Sequence, residues 1–373
     1  MKVRVDQQTL SAALQTVSRA VSTRSTIPAL AGILVEASPD GLFLKAYDNE
    51  LGIHYPLAAE VEGGFSIVLP SRILGDIVRS IPGGNIDISI DTSTYTAEVK
   101  WGKSEFSIHG FDPAQFPDLP TPTGRNRFAV PSDTLRKMIR QTSFAIAQSD
   151  VRPILSGVMM EKNGRELSMA AVDGVRLAYR RFFLGSEEYQ GSTSGEDIKA
   201  VVPGRALNEI ARIAAEASET CFEIGSGQVF FDVGRIRIVS RLLEGQFPPY
   251  RQIVPSSFVT TARVQTSVLH DAVERASLIS ADDDYAVRLR LSSEGIGVLS
   301  ASSKVGRAQE AVEAQVEGEE MEIAFNARFL IDGLRAVDAQ EVLFRTTGRF
   351  GPACIRPLEH ENFIYVVMPL KTP

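Results

Sequence analysis

Apolar residues recur along this chain with two different periods. Leu74, Ile77, Val78 and Ile81 fall at i, i+3, i+4 and i+7, the spacing of one helix face. Ile86, Ile88 and Ile90 alternate with Asp87, Ser89 and Asp91, which marks a half-buried strand. The same alternation returns at Phe222 and Ile224, at Val229, Phe231 and Val233, and at Ile236 and Ile238. Gly-containing turns at 82–85 and 225–227 punctuate these runs. The pattern predicts helical segments at 6–22, 71–81, 132–147, 203–217, 266–280 and 326–337. Antiparallel strands fill the intervals, so the fold class is α+β.

The elements repeat. Pro70, Arg72, Leu74, Asp76 and Arg79 return 133 residues later as Pro203, Arg205, Leu207, Glu209 and Arg212. They return again, 123 residues on, as Asn326, Arg328, Leu330, Asp332 and Arg335. Leu10, Leu14 and Val17 match Leu135, Ile139 and Thr142, then Leu269, Val273 and Ala276. Pro28, Leu30 and Gly32 match Pro153, Leu155 and Gly157; Ala46 and Asp48 match Ala171 and Asp173. This register predicts three similar domains, 1–124, 125–254 and 255–373, with helices on one side and sheets on the other. The segment 185–195 is rich in Gly and Ser and reads as a mobile loop within the second repeat.

Charge changes the picture only after the repeat is known. The chain of 373 residues carries 39 Lys and Arg against 46 Asp and Glu, a net charge of −7. That excludes a tight, strongly basic nucleic-acid binder. Yet the predicted helices hold 11 basic and 8 acidic residues, leaving 28 against 38 elsewhere. At about 100° per residue, Arg72 and Arg79 project away from the buried face of their helix, as do Arg205 and Arg212, and Arg328 and Arg335. Arg136, Lys137 and Arg140 likewise avoid the Leu135 and Ile139 face. Such a surface touches phosphates loosely and without sequence preference.

Composition is that of an ordinary globular chain, 44% hydrophobic and 23% charged. No apolar run reaches the ~18–20 residues of a membrane span, and the N-terminus lacks the apolar core of a signal peptide. Cys221 and Cys354 are too few for a disulfide framework or a Cys-based zinc site and read as buried, reduced thiols of a cytosolic protein. His54, His109, His270 and His360 share no metal-ligand spacing. Phosphate-binding glycine loops and a nucleophile elbow are absent from the sequence. Asp173 to Arg176 reads as a turn after a strand. No catalytic residue, cofactor or metal is therefore expected. A protein-binding repeat scaffold and a hydrolase using Asp173 with a histidine stay open as rival readings.

Several segments resemble one family: 150–157, with Arg152, Pro153, Leu155 and Gly157; 172–178, with Asp173, Gly174, Arg176 and Leu177; and 245–250, with Phe247, Pro248 and Tyr250. The opening, Met1 to Val5, and the closing run from Tyr365 through Met368 and Pro369 to Leu370 also match. In these the chain is similar, over essentially its whole length, to the DNA polymerase III beta subunits, the bacterial sliding clamps. The resemblance implies three clamp-type domains per chain and a homodimer closing head-to-tail into a six-domain ring. Twelve helices spaced by roughly 9 Å would then line a hole roughly 35 Å across. It implies a cytoplasmic, non-catalytic processivity factor that encircles double-stranded DNA. Its partners would be the DNA polymerase III alpha subunit, a separate clamp loader, and other polymerases and repair proteins carrying a clamp-binding peptide.

The resemblance also assigns residues. The deep part of a peptide pocket maps to Leu155, Val172, Gly174, Val175, Arg176, Leu177, Pro248 and Ile253. Its second part maps to Arg152, Asn326, Phe329, Phe350, Met368, Pro369 and Leu370. Arg24 falls where the family places a DNA-contacting arginine. Phe106, Ile108, Leu278 and Ile279 fall where it builds the subunit interface. Leu278 also lies opposite its own helix's buried face, which independently suits an interface.

Overall fold

The computed structural model describes residues 1–22, 26–123, 127–148, 151–184, 197–225, 227–280 and 285–371. Arg24 and the segment 185–195 lie outside the described residues. Six α-helices occur among the described residues: α1 Gln7–Val17, α2 Ser71–Ser80, α3 Ser132–Thr142, α4 Gly204–Ile213, α5 Thr266–Ser277 and α6 Ala327–Ala336. All six fall inside the segments that periodicity predicts. Their starts follow local chemistry. The Asp6 side chain accepts the Thr9 amide at 2.9 Å to cap α1, and Asn326 accepts the Arg328 amide at 3.0 Å to cap α6. Several helices tighten into a short 3₁₀ turn, as α1 does at Ser18–Ala20 and α3 at Ser143–Ala145.

Each repeat runs strand, helix, three strands, strand, helix, three strands, with one additional short strand in the first and third repeats. It therefore yields two half-sheets. One holds the opening strand and the last three; the other holds the four in the middle. The chain forms two compact units. In the first, which holds residues 1–133 and 209–242, the half-sheet Arg127–Pro131, Glu219–Ile224, Gln228–Val233, Ile236–Arg241 continues into Leu51–Leu57, Gly41–Tyr47, Gly32–Ser38, Phe65–Pro70. The seam is antiparallel, with Val239 opposite Gly52. A separate five-stranded sheet in this unit ends at the open edge Ser104–His109.

The second unit contains residues 134–184, 197–208 and 243–371. Here Ile198–Pro203, Gly157–Asn163, Glu166–Val172, Arg176–Phe183 continues into Phe363–Val367, Ala353–Pro357, Glu341–Thr346, Thr260–Gln265, with Ala314–Gly318 at the far edge. The seam pairs Leu177 with Val366. A four-stranded sheet in this unit ends at the open edge Gly306–Val312. Helix pairs pack within each unit, α1 on α2 and α5 on α6. Leu10, Leu14, Val17, Leu74 and Val78 are buried in the first, and Leu269, Val273, Leu330 and Leu334 in the second. Cys354 is buried and its thiol is pushed up to about 11 by that burial; Cys221 is half-buried rather than buried, and both are free.

Candidate partner-peptide pocket and nucleic-acid face

Every residue that the resemblance assigns to the pocket belongs to the second unit. The pocket is built around one turn. Asp173 Oδ1 accepts the Val175 and Arg176 amides, both at 3.0 Å, which is how an aspartate closes a tight loop after a strand. Gly174 sits at φ +104°, a conformation glycine adopts freely, and a Cβ there would come 3.1 Å from Arg152 Nη2. The turn is held to the C-terminal segment by the Met368 amide, which donates to the Val175 carbonyl at 2.9 Å.

Arg176 fixes the turn from below. Its Nε donates to Asp173 Oδ2 at 2.8 Å, its Nη1 to Asp332 Oδ2 at 2.8 Å, and its Nη2 to the Phe144 carbonyl at 2.9 Å. The guanidinium carbon lies 4.4 Å from the centroid of the Phe329 ring. Burial alone would ease the proton off Arg176, but Asp332, Tyr365 and Asp173 outweigh it and hold the charge. Leu155, Val172 and Leu177 lie at the floor, in one buried cluster with Val366, Phe247 and Tyr250. Above them Val175, Ile253 and Met368 are exposed, and Phe350 is 72% exposed. Gly174 and Arg152 are also exposed, while Pro248, Asn326, Phe329, Pro369 and Leu370 are half-buried. Large apolar side chains left in water around an apolar floor are what a peptide anchor covers.

Sequence reasoning missed the support beneath one wall. Pro248 and Ile253 flank Tyr250, whose hydroxyl donates to Glu161 Oε2 at 2.7 Å. Arg251 reaches the same oxygen at 3.1 Å, and Lys199 approaches Oε1 at 3.2 Å. Burial raises the Glu161 carboxyl, but its three donors outweigh burial and hold it below the usual carboxylate range. Burial, and then the bond to Glu161, pushes the Tyr250 hydroxyl up. Glu161 stands in a strand far from Tyr250 in sequence, and no local motif connects them. Asp332 was noted only as a repeat position, and Phe144 carried no signal beyond hydrophobicity.

The basic helix positions divide into two groups. Arg72, Arg79, Arg140, Arg205, Arg212, Arg328 and Arg335 are exposed, whereas Arg136 and Lys137 are half-buried. Arg72 and Arg79 both lean toward Asp76, at 3.8 and 3.4 Å. Arg212 pairs with Glu209, and Arg335 lies 3.7 Å from Glu274. Arg328 stacks 3.5 Å from the Tyr285 ring centroid. Such exposed pairs are weak and readily exchanged. On α3 the charge is answered more firmly: Lys137 lies 3.0 Å from Asp338, and Arg140 bonds the same carboxylate. Burial raises the Asp338 carboxyl, but Arg140 and Lys137 outweigh it and hold it low. His270, Asp271 and Glu274 gather within 4.8 Å on α5, although His270 already bonds Asp271 and Glu274 faces Arg335.

Of the interface positions, Leu278 is 71% exposed and Ile279 half-buried. Phe106 is 41% exposed and stacks on Trp101 with centroids 5.4 Å apart. Ile108 differs. Its side chain is 4% exposed, packed inside its own sheet rather than presented at the edge. It shares its face with Phe106, two residues before it, and lies opposite the buried Ala97.

Comparison with known proteins matches the three domain models of the DNA polymerase III beta subunit: N-terminal at residues 1–120, central at 129–249 and C-terminal at 251–371. The beta sliding clamp of Bacillus subtilis is 32% identical over 385 residues, covering 100% of both chains. A crystal structure of the B. subtilis DNA polymerase sliding clamp has a TM-score of 0.94 at 31% identity, covering 100% of both chains. That of a Pseudomonas aeruginosa sliding clamp bound to griselimycin has a TM-score of 0.92 at 28% identity, again over 100% of both. The fold is thus that of a clamp with three similar α+β domains. The chain belongs to the DNA polymerase III beta subunit family, the beta sliding clamps, which are non-catalytic subunits of the polymerase.

Proposed function

We propose that two copies of this chain close into a ring around duplex DNA and tether the replicative polymerase to it. The observation that carries this reading is the arrangement of half-sheets. Inside the chain, the opening half-sheet of the second repeat joins the middle half-sheet of the first, and that of the third joins the middle one of the second. Two half-sheets stay unjoined, and their open edges are Ser104–His109 and Gly306–Val312. The same joint made between two chains uses both edges, twice, and leaves none open. A head-to-tail contact of this kind must close or grow into a filament, and exposed edges are otherwise a hazard.

The apolar residues support this closure. Trp101 and Ser104 flank a hairpin equivalent to that of Val233 and Ile236, with Gly102 and Gly234 at φ +55° and +59°. Phe106 therefore corresponds to Ile238, which is 0% exposed where the seam is formed. Phe106 and Leu278 are covered by the partner copy, with Ile279 beside them and Ile108 beneath. The domains run 1–124, 125–254 and 255–373.

The ring holds DNA by topology, so weak phosphate contacts suffice. Arg72, Arg79, Arg205, Arg212, Arg328 and Arg335 supply them, with Arg24, Arg136, Lys137 and Arg140 as further candidates. The pocket of the second unit takes the apolar anchors of a client peptide from the polymerase alpha subunit, the clamp loader, or other polymerases and repair proteins. No helix among the described residues is long and apolar enough to cross a membrane, and the site of action is the cytoplasm, with the DNA.

Retention on DNA tests the reading. After loading onto closed circular DNA the protein stays bound through gel filtration, and cutting the circle releases it. Protein that remains on the linear product overturns encirclement. Light scattering of Phe106→Asp with Leu278→Asp gives a monomer; an unchanged dimer overturns the proposed seam.

A further inference from the structure

We propose that Arg345 and Arg356 form an anion subsite at the margin of the peptide pocket, one that takes an acidic side chain of the client segment. The proposal rests on the pocket reading above and extends it from apolar anchors to charge.

The two arginines lie on the pocket's own sheet face. Across the ladder Arg345 faces Cys354, Cys354 faces Val366, Val366 faces Leu177, and Leu177 faces Val172. Directly opposed residues share one face of an antiparallel sheet. Cys354, Val366, Leu177 and Val172 belong to one buried cluster, with Phe258 packed against it. The Arg345 guanidinium carbon lies 5.3 Å from the Phe258 ring centroid, so it rims this cluster. Arg356 stands two residues beyond Cys354 and shares its face.

Their charge is not fully answered. Both Nε atoms are buried without a hydrogen-bond partner. Arg356 pairs with Glu361. The Arg345 side chain has no hydrogen bond or ion pair among the described residues. Burial, and then the neighbouring Arg356, weaken the hold of Arg345 on its proton. Buried donors normally find partners, and a guanidinium fork matches a carboxylate. A peptide carboxylate supplies the missing acceptor. Three ladder spacings separate Arg345 from Leu177, about 14 Å, which an extended peptide covers in about four residues.

The test uses the intact dimer and fluorescence anisotropy. Three synthetic peptides share two adjacent Leu anchors. One has Ala four residues from the anchors on both sides; the others place Asp there on one side or the other. One Asp peptide is expected to bind about three- to tenfold more tightly than the Ala peptide in low salt. The advantage shrinks in 0.5 M salt. It disappears in Arg345→Gln and, independently, in Arg356→Gln, while Arg345→Lys retains part of it. Both Gln variants bind the Ala peptide as the parent does, which also reports that they are folded. Equal affinity for all three peptides, or an Asp advantage that survives in both Gln variants, overturns the subsite. Failure of the pocket reading looks different: Val172→Tyr would then leave the Ala peptide's affinity unchanged.

Discussion

The same turn is built twice in this molecule and is put to different uses. In the first unit Asp48 Oδ1 accepts the Glu50 and Leu51 amides at 3.0 and 2.7 Å. In the second, Asp173 does the same for Val175 and Arg176. Asn49 at φ +75° stands where Gly174 stands at +104°. What surrounds the turns differs. In the first unit the aromatic Tyr47 and Leu119 close over Gly52, where a Cβ would lie 3.1 and 3.2 Å from their side chains and 2.7 Å from Val239. In the second, the equivalents of Tyr47 and Gly52 are Val172 and Leu177. There Val175 and Met368 stand exposed over an apolar floor. One site is closed by its own chain, and the other stays open, as the proposed client peptide requires. The two turns share one backbone design, and the difference lies in which side chains surround them.

Exchanging residues between the two sites tests this most severely. Val172→Tyr puts the plug into the pocket, and client-peptide affinity measured by anisotropy should fall roughly a hundredfold with the dimer intact. Retained affinity would mean that Val172 does not border the anchor site. Arg176→Leu installs the first unit's Leu51 and strips Asp173 and Asp332 of their shared cation. Leaving such groups unpaired is costly, so peptide affinity should fall about tenfold and the melting temperature should drop; no change in either would show that the turn holds itself.

The wall over Glu161 titrates with a defined sign. Its carboxyl is held low in the folded protein, so its stabilising bonds are complete above the ordinary value of about 4.3 and are lost as pH falls through the lowered value. Peptide affinity should be flat from pH 8 to 5 and decline below about pH 4. In Glu161→Gln this acid limb should flatten; an identical profile would remove Glu161 as the cause. The smallest effect belongs to the plugged site. Tyr47→Val should cost about 1–2 kcal/mol of stability in chemical denaturation and leave peptide affinity untouched. Weakened peptide binding would show that the two sites are coupled.

The helices were legible because each buries one stripe at a 3.6-residue period, and the triplication because equivalent arginines and leucines keep register. The pocket's position came through resemblance, carried by Asp173, Gly174 and Arg176. Its construction did not. Arg176 reaches Asp332 across 156 residues, and Tyr250 reaches Glu161 across 89; nothing local encodes either bond. Ile108 is buried within its own chain whereas Phe106, two residues away on the same face, is exposed; alternation gives both the same face, and only packing separates them. Periodicity turns Lys137 and Arg140 away from the buried face of their helix, but only packing brings Asp338 beside them.

Gly333 separates what each level determines. The sequence by itself sets α6 as a repeat of α2 and α4, with Gly333 at the position held by Ile77 and Ile210. Propensity alone reads this glycine as a defect in the helix. Only the tertiary structure supplies the reason, because a Cβ at Gly333 would lie 2.3 Å from the ring of Tyr365, whose hydroxyl donates to the Phe329 carbonyl beneath the pocket. Periodicity is a local property of one segment and can be read from it. Close approach between segments depends on how the whole chain packs, and so does the pocket built on it.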